Sequence, residues 1–360
     1  MFDVYIEGSL KDCTRLKRGH GERRRVGKNT SLPLGKKWAT FLRDSQNKTE
    51  LFELVAQKIS KFEVKDKVIF ATVGKEVFSS PKSTIFDSNY SLISPCSHEE
   101  ADTRMLLHAK HAVVQGHKVI CLKTVDTDVV VLAVSLHSEI GSDELWIDFG
   151  TGKDRRFIPA HEIAKKLGKE NSSGLLMFHS LSGCDTTSNF SGIGKKTAWS
   201  AWEKFPEISE VFSCLSHDGK LTTDHEDLLQ KFVISMYDKT LEVSDVNEAR
   251  KLLFSRGTKA LDKIPPTHAA LHQHILRAIF QALVWSKSLD PNPTLPDPSE
   301  YGWIKDEAST SWRVKWTVLP EASQVCRELV KCACKKQCRN CKCVKADLSC
   351  SILCKCNCEI

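Results

Sequence analysis

The sequence predicts an α/β fold, a mostly parallel sheet flanked by helices, on three observations. The runs KVIFATVG, KVICLK and ELWIDFG are short, aliphatic and rich in β-branched residues, the size and composition of buried strands. The stretches between them place apolar residues at helical spacing, and strands separated by helices favour parallel pairing. With 360 residues and a hydrophobic fraction of 41%, the chain can build one such domain and carry an appendage.

In chain order, the opening MFDVYIEG holds a fragment of a strand, and KRGHGERRRVGK is a dense basic cluster. LGKKWATFLRDS and NKTELFELVAQKISKF follow as two helices; in the second, Leu51, Leu54, Val55 and Ile59 recur at helical spacing. After the KVIFATVG strand, HEEADTRMLLHAKHAVVQG is an amphipathic helix with acids in its first turn and Gly116 as its stop. KVICLK and ELWIDFG are strands, FIPAHEIAKKLG and GLLMFHSLSGCD helices, and TTSNFSGIGKKTAWSAWEKF a loop entering another helix. The pattern stays helical from 205 to 289. DPNPTLPDPSE, with four prolines, is expected to be a linker. YGWIKDEASTSWRVKWTVLP then packs back before a cysteine cluster. The expected domains are 1–205, a helical extension 206–289, a linker and Trp-rich segment 290–325, and a small cysteine domain 326–360.

Composition excludes several classes. No apolar run is long enough to span a bilayer, and the N-terminus carries acids where a signal peptide has an apolar core. An intracellular, soluble protein with no membrane partner is expected. A net charge of +7 permits a nucleic-acid partner without requiring one. GTGKD at Gly150 lacks the second half of a phosphate-binding loop. Of the fifteen cysteines, Cys13, Cys96, Cys121, Cys184 and Cys214 are scattered and fit small buried hydrophobes. His98, His108, His111 and His179 have no ligand spacing with the acids, so surface or satisfied core positions are expected for them.

The chemistry-bearing feature is a set of acids at strand ends and helix starts. Glu100 and Asp102 stand two apart in the first turn of one helix, and Asp126 and Asp128 interrupt the apolar run KTVDTDVVVLAVS. Asp185 lies in LSGCDTTS, and Asp3 follows the opening strand fragment. Two explanations stand for Asp126 and Asp128: helix capping, or charge neutralised by bound cations. Metal-assisted phosphodiester hydrolysis needs several such carboxylates around two hard cations.

The blocks EAD, TVDTD and LSGCDTTSNFSGIGKKTA, with MFDVYIEGSLKDCTRLKRGHGERRR, resemble in order and rough spacing those of the flap endonuclease and XPG nucleases, which have a PIN-like fold. The resemblance covers about residues 1–205. It implies two magnesium (or manganese) ions held by Asp3, Glu100, Asp102, Asp126, Asp128 and Asp185, with Lys11 near the scissile phosphate across a one-residue insertion and Arg18 beside it. GIGKK resembles the family's helix–turn–helix turn, which implies DNA-backbone contacts from Gly192, Gly194, Lys195 and Lys196. The implied partner is branched DNA or a single-strand/duplex junction, in the nucleus. Two departures matter: the family's first strand, with its own aspartate, precedes the segment that Asp3 matches, so the expected sheet lacks it, and the helical stretch 38–62 replaces the family's arch.

CACKKQCRNCKCVKADLSCSILCKCNC holds nine cysteines: Cys332, Cys334, Cys338, Cys341, Cys343, Cys350, Cys354, Cys356 and Cys358. Three tetrahedral zinc ions need twelve bonds, which nine thiolates supply if three of them bridge. Cys-x-Cys neighbours are poorly placed to bond to each other, which disfavours disulfides. The elements resemble CXC domains of tesmin-like proteins and some chromatin regulators, which implies DNA contact through Lys335, Lys336, Arg339 and Lys342. The thiolates cancel most of the segment's positive charge, so such contact would be local. A structural or protein-binding zinc knot is the other reading of the cluster. For the whole chain the two readings are a magnesium-dependent nuclease and a degenerate nuclease fold that binds DNA or chromatin proteins through its cysteine domain. The arrangement also resembles mobile-element-associated proteins of animal genomes.

Overall fold

In the computed structural model, residues 1–16, 19, 21–62, 64–80, 90–255, 263–306 and 311–318 are described. The chain divides into two units, Met1–Trp316 and Thr317–Ile360. The cysteine cluster, its lysines, Arg339 and Arg18 lie outside the described residues.

The fold is mixed α/β, with helices dominating small sheets. Helix α1 (Leu10–Leu16), α2 (Lys36–Phe41) and α3 (Ser45–Ile59) precede a hairpin of β1 (Ile69–Val73) and β2 (Glu76–Ser80). Then come α4 (Ala101–Val114), β3 (Val119–Thr124), α5 (Thr127–Ile140), β4 (Glu144–Phe149) and β5 (Arg156–Pro159). The remainder is α6 (Ala160–Leu181), α7 (Lys195–Trp202), α8 (Ile208–His217), α9 (Thr223–Tyr237), α10 (Val246–Ser255), α11 (His268–Ser286), β6 (Trp303–Lys305) and β7 (Trp312–Val314).

The unit β3–α5–β4 is the expected parallel pair, in register from Val119 opposite Glu144 to Thr124 opposite Phe149. The rest of the mostly parallel sheet is not found among the described residues: β5 pairs antiparallel with β4, and β1 pairs with β2 instead of joining them. The physical reason is local. Gly74, with φ near 53°, turns the chain within two residues, so KVIFATV folds back onto EVFSS. The opening residues form no strand; Phe2 N–H donates to Thr72 Oγ1 at 2.8 Å and Val4 N–H to the Glu99 carbonyl at 2.8 Å.

One face of the β3–β4 pair, with Ile120, Leu122, Leu145 and Ile147, is buried in a core shared with α5, α6, α8 and α11. The other leaves Val119, Cys121 and Lys123 exposed, so Cys121 departs from the buried role expected of the scattered cysteines. The two helices read on either side of Gly168 form α6, broken there by a left-handed φ of 77°. The proline segment expected as a linker is fastened down: Ser97 N–H donates to the Pro291 carbonyl at 2.8 Å and Asn292 Nδ2 to that of Pro95 at 2.9 Å. Among the described residues no helix is long and apolar enough to cross a membrane.

Arg104 ties the hairpin to α4. It is fully buried, and its guanidinium donates to the Gly74 carbonyl and, at 3.0 Å, to that of Glu76. Arg104→Leu would leave two carbonyls without a donor, a loss of about 3 kcal/mol. Urea unfolding should show a lower midpoint, partly restored in Arg104→Lys.

Candidate functional site

The N-termini of α4 and α5 gather the acids. A helix N-terminus presents unpaired N–H groups and a partial positive charge, which suits carboxylates. Glu100 is the N-cap residue of α4, yet its side chain caps nothing. Asp3, from a distant segment, does that job: its Oδ1 accepts the Ala101 N–H at 2.8 Å. Glu100 is thereby released to pair with Lys11 of α1. Lys11 also lies 3.9 Å from Asp185, whose side chain is half exposed.

In α5 the capping explanation holds geometrically. Asp126 is the N-cap, and its Oδ1 accepts the Asp128 N–H at 2.9 Å, while its own N–H donates to Thr124 Oγ1 at 3.0 Å. Asp128 points elsewhere, to His179 Nε2 at 2.9 Å. His179 sits in the last turn of α6 with its ring 5.5 Å from that of Trp285. The turn after α6 is tight: Gly183 has φ near 111°, and a Cβ there would meet the Asn189 Cβ at 2.8 Å.

The electrostatics tie the acids together. Burial, then the charges of Asp126, Glu100, Asp3 and Asp128, push the Asp102 carboxyl up to about 7. Burial also raises Glu100, an effect Lys11 only partly offsets. Lys11 in turn is held protonated above its ordinary range by Glu100, in spite of its own burial. Burial would raise Asp128 too, but the His179 hydrogen bond and charge outweigh it and hold the carboxyl low.

The structure therefore brings Asp3, Glu100, Asp102, Asp126 and Asp128 into one electrostatic neighbourhood and links Asp185 to it through Lys11. Lys195 is exposed in the turn that opens α7. Its ammonium donates to the carbonyls of His179 at 3.0 Å and Gly183 at 2.7 Å and to Ser182 Oγ at 3.0 Å, closing the C-terminus of α6. Gly192, with φ near 74°, and Gly194, the N-cap of α7, leave an exposed turn, and Lys196 is exposed beside it.

Sequence reasoning missed His179, which carries no ligand spacing because its partner lies 51 residues away. It also missed Glu99, bound by Ser9 Oγ and Arg15 Nη1 at 2.7 Å each; the run HEEAD was the available signal. The donor set is all carboxylate oxygen, the chemistry that suits magnesium or manganese, and its mutual repulsion is what a cation would relieve. Among the described residues no three His, Cys, Asp or Glu side chains form a group already closed enough to hold a metal ion. The chain matches no family model, no curated protein and no solved structure.

The Asp102 shift has a definite sign. The folded chain keeps this proton up to about pH 7, the unfolded chain only to about 3.8. Between those values the fold binds the extra proton, so stability falls as pH rises through the window and the loss is complete above it. In chelator-treated buffer, Asp102→Asn should melt higher than the parent at pH 8, with the gap closing toward pH 4. An equal gap at both pH values would contradict the assignment.

Proposed function

We propose that the chain is a nuclear, magnesium- or manganese-dependent nuclease of flap endonuclease type on a PIN-like fold, hydrolysing phosphodiester bonds in DNA, and that 326–360 is a CXC-type zinc domain that anchors it on DNA. The observation that carries the nuclease reading is the convergence of five carboxylates from three separate segments, close enough to push Asp102 up to about 7. Solvated surface acids have no reason to be so crowded.

In this reading Asp3, Glu100, Asp102, Asp126, Asp128 and Asp185 would hold two ions, which when bound stabilise the attacking and leaving oxygens of the hydrolysis. The protein's own contribution is orientation. His179 fixes the Asp128 carboxylate, Asp3 fixes the start of α4, and Lys11, between Glu100 and Asp185, offers its ammonium to a phosphate. The exposed turn from Gly192 to Lys196 supplies backbone amides and one free-facing lysine for a DNA strand. One observation favours the second reading, a degenerate scaffold that binds DNA or chromatin proteins: the Lys11–Glu100 pair already neutralises one carboxylate without a metal.

The test is cleavage of labelled flap, bubble and single-stranded DNA in magnesium or manganese. Asp126→Asn combined with Asp128→Asn keeps both side chains able to accept hydrogen bonds, since asparagine caps helices as well as aspartate does. Cleavage should fall about a hundredfold or more. DNA that is bound but cut by neither form would favour the scaffold. For the cysteine segment, metal analysis of the intact chain should return about three zinc ions; none, with cysteines paired by oxidation, would remove the CXC reading.

A further inference from the structure

The helical extension holds a group of side chains that the nuclease reading does not use. His268 and His272 stand four residues apart on α11, which places them on one helix face a turn apart. Both rings meet the same atom of another helix. His268 Nε2 lies 3.0 Å and His272 Nδ1 2.8 Å from Oε1 of Glu226, in the first turn of α9. The Glu226 side chain is largely covered, at 17% exposure, while the rings open to solvent at 43% and 37%.

Two imidazoles and a carboxylate converging on one point form the donor set of a divalent transition ion. Imidazole nitrogen suits zinc, copper or nickel, whereas the carboxylate cluster at α4 and α5 suits magnesium. Histidines at i and i+4 of a helix can present both rings to one ion. The distances fit as well. Around tetrahedral zinc, with bonds of about 2.0–2.2 Å, two ligand atoms stand about 3.3 Å apart. The nitrogen–oxygen separations here are 3.0 and 2.8 Å. In this geometry the group is held by hydrogen bonds and is not closed around a metal ion. Closing it requires the carboxylate to draw back by about half an ångström and each ring to offer a lone pair in place of its N–H. A cluster serving only to bind hydrogens could spread over both carboxylate oxygens. These rings converge on Oε1.

We infer that Glu226, His268 and His272 form a binding site for an ion of the zinc class, with water completing the coordination on the exposed side. The site stands apart from the nuclease reading, because it draws on no residue of the acidic cluster. Its effect follows from where the ligands sit. The His268 backbone N–H donates to Asn247 Oδ1 of α10 at 3.0 Å. One ion would therefore pin the start of α11 to the start of α9, with α10 attached through Asn247. Three protein ligands leave a fourth position open, as in zinc sites that exchange a ligand.

The test is modification of the full chain with diethylpyrocarbonate, located by peptide mass spectrometry. Free zinc is set by a metal buffer, so uptake by the cysteine segment does not alter it, and only His268 and His272 are read. A ring that holds a metal through one nitrogen carries its proton on the other and has no lone pair left to react. At free zinc about ten times the dissociation constant, both rings should react about tenfold more slowly. Chelator should restore the rate. Glu226→Gln keeps an oxygen for the rings but loses the charge, and should raise the zinc needed for protection by about tenfold or more. His272→Gln should return His268 to its metal-free rate, and serves if the first variant melts early. Rings that react equally fast with and without zinc overturn the site. Protection that survives both substitutions undiminished places the ion elsewhere and overturns it too. Magnesium that protects as well as zinc overturns the transition-ion class.

Discussion

Negative charge held partly out of water is the constraint around which the rest is arranged. Five carboxylates share one region at the starts of α4 and α5. The two helix N-termini favour them, but each such interaction is worth only about 0.3–1 kcal/mol at an exposed site. The balance comes from three devices: the Lys11 ammonium on Glu100, the His179 ring on Asp128, and a proton retained by Asp102. Each draws on a different element, which is why α1, α4, α5 and the C-terminal turn of α6 must meet. Arg104 holds α4 to the hairpin, and the β3–β4 pair holds the start of α5, so the packing of the fold fixes the geometry of the charge.

Much of this was legible in the sequence, for identifiable reasons. The strands β3 and β4 were visible as β-branched runs, and the capping explanation of Asp126 placed a helix start between them. The break at Gly168 was visible as a glycine between two helical patterns. The grouping of the acids was visible as acids recurring after strands. The hairpin was not: its GK turn is short, and KVIFATV reads equally well as a strand of either hand of pairing. Nor was the binding of the proline segment, because each of its bonds to the 95–97 stretch is accepted by a backbone carbonyl, and a carbonyl leaves no mark on residue type.

His179 and Lys195 show the limit more sharply. Sequence offered His179 a satisfied core position, which it has, and Lys195 a DNA-facing one; neither expectation named the partners that tertiary packing supplies. The last turn of α6 brings the imidazole to Asp128, and the Lys195 ammonium donates to carbonyls at that helix end, which lack intrahelical donors. The two are linked, since Lys195 bonds the carbonyl of the residue whose ring holds Asp128. A basic side chain expected at a ligand also orders the shell behind a carboxylate.

The capping and metal explanations of Asp126 and Asp128 turn out not to compete. The cap occupies one oxygen of Asp126, and Asp128 spends its Oδ1 on His179. A carboxylate has about four lone-pair sites, so a hydrogen bond that fixes its orientation leaves capacity for a cation. Orientation of this kind is what a ligand-holding carboxylate needs, because a freely rotating side chain loses entropy on binding. Lys11 is held on Glu100. A phosphate drawing that ammonium away from Glu100 would leave the carboxylate less compensated, and so more in need of a cation. Strand binding and metal binding would then reinforce each other through a single lysine.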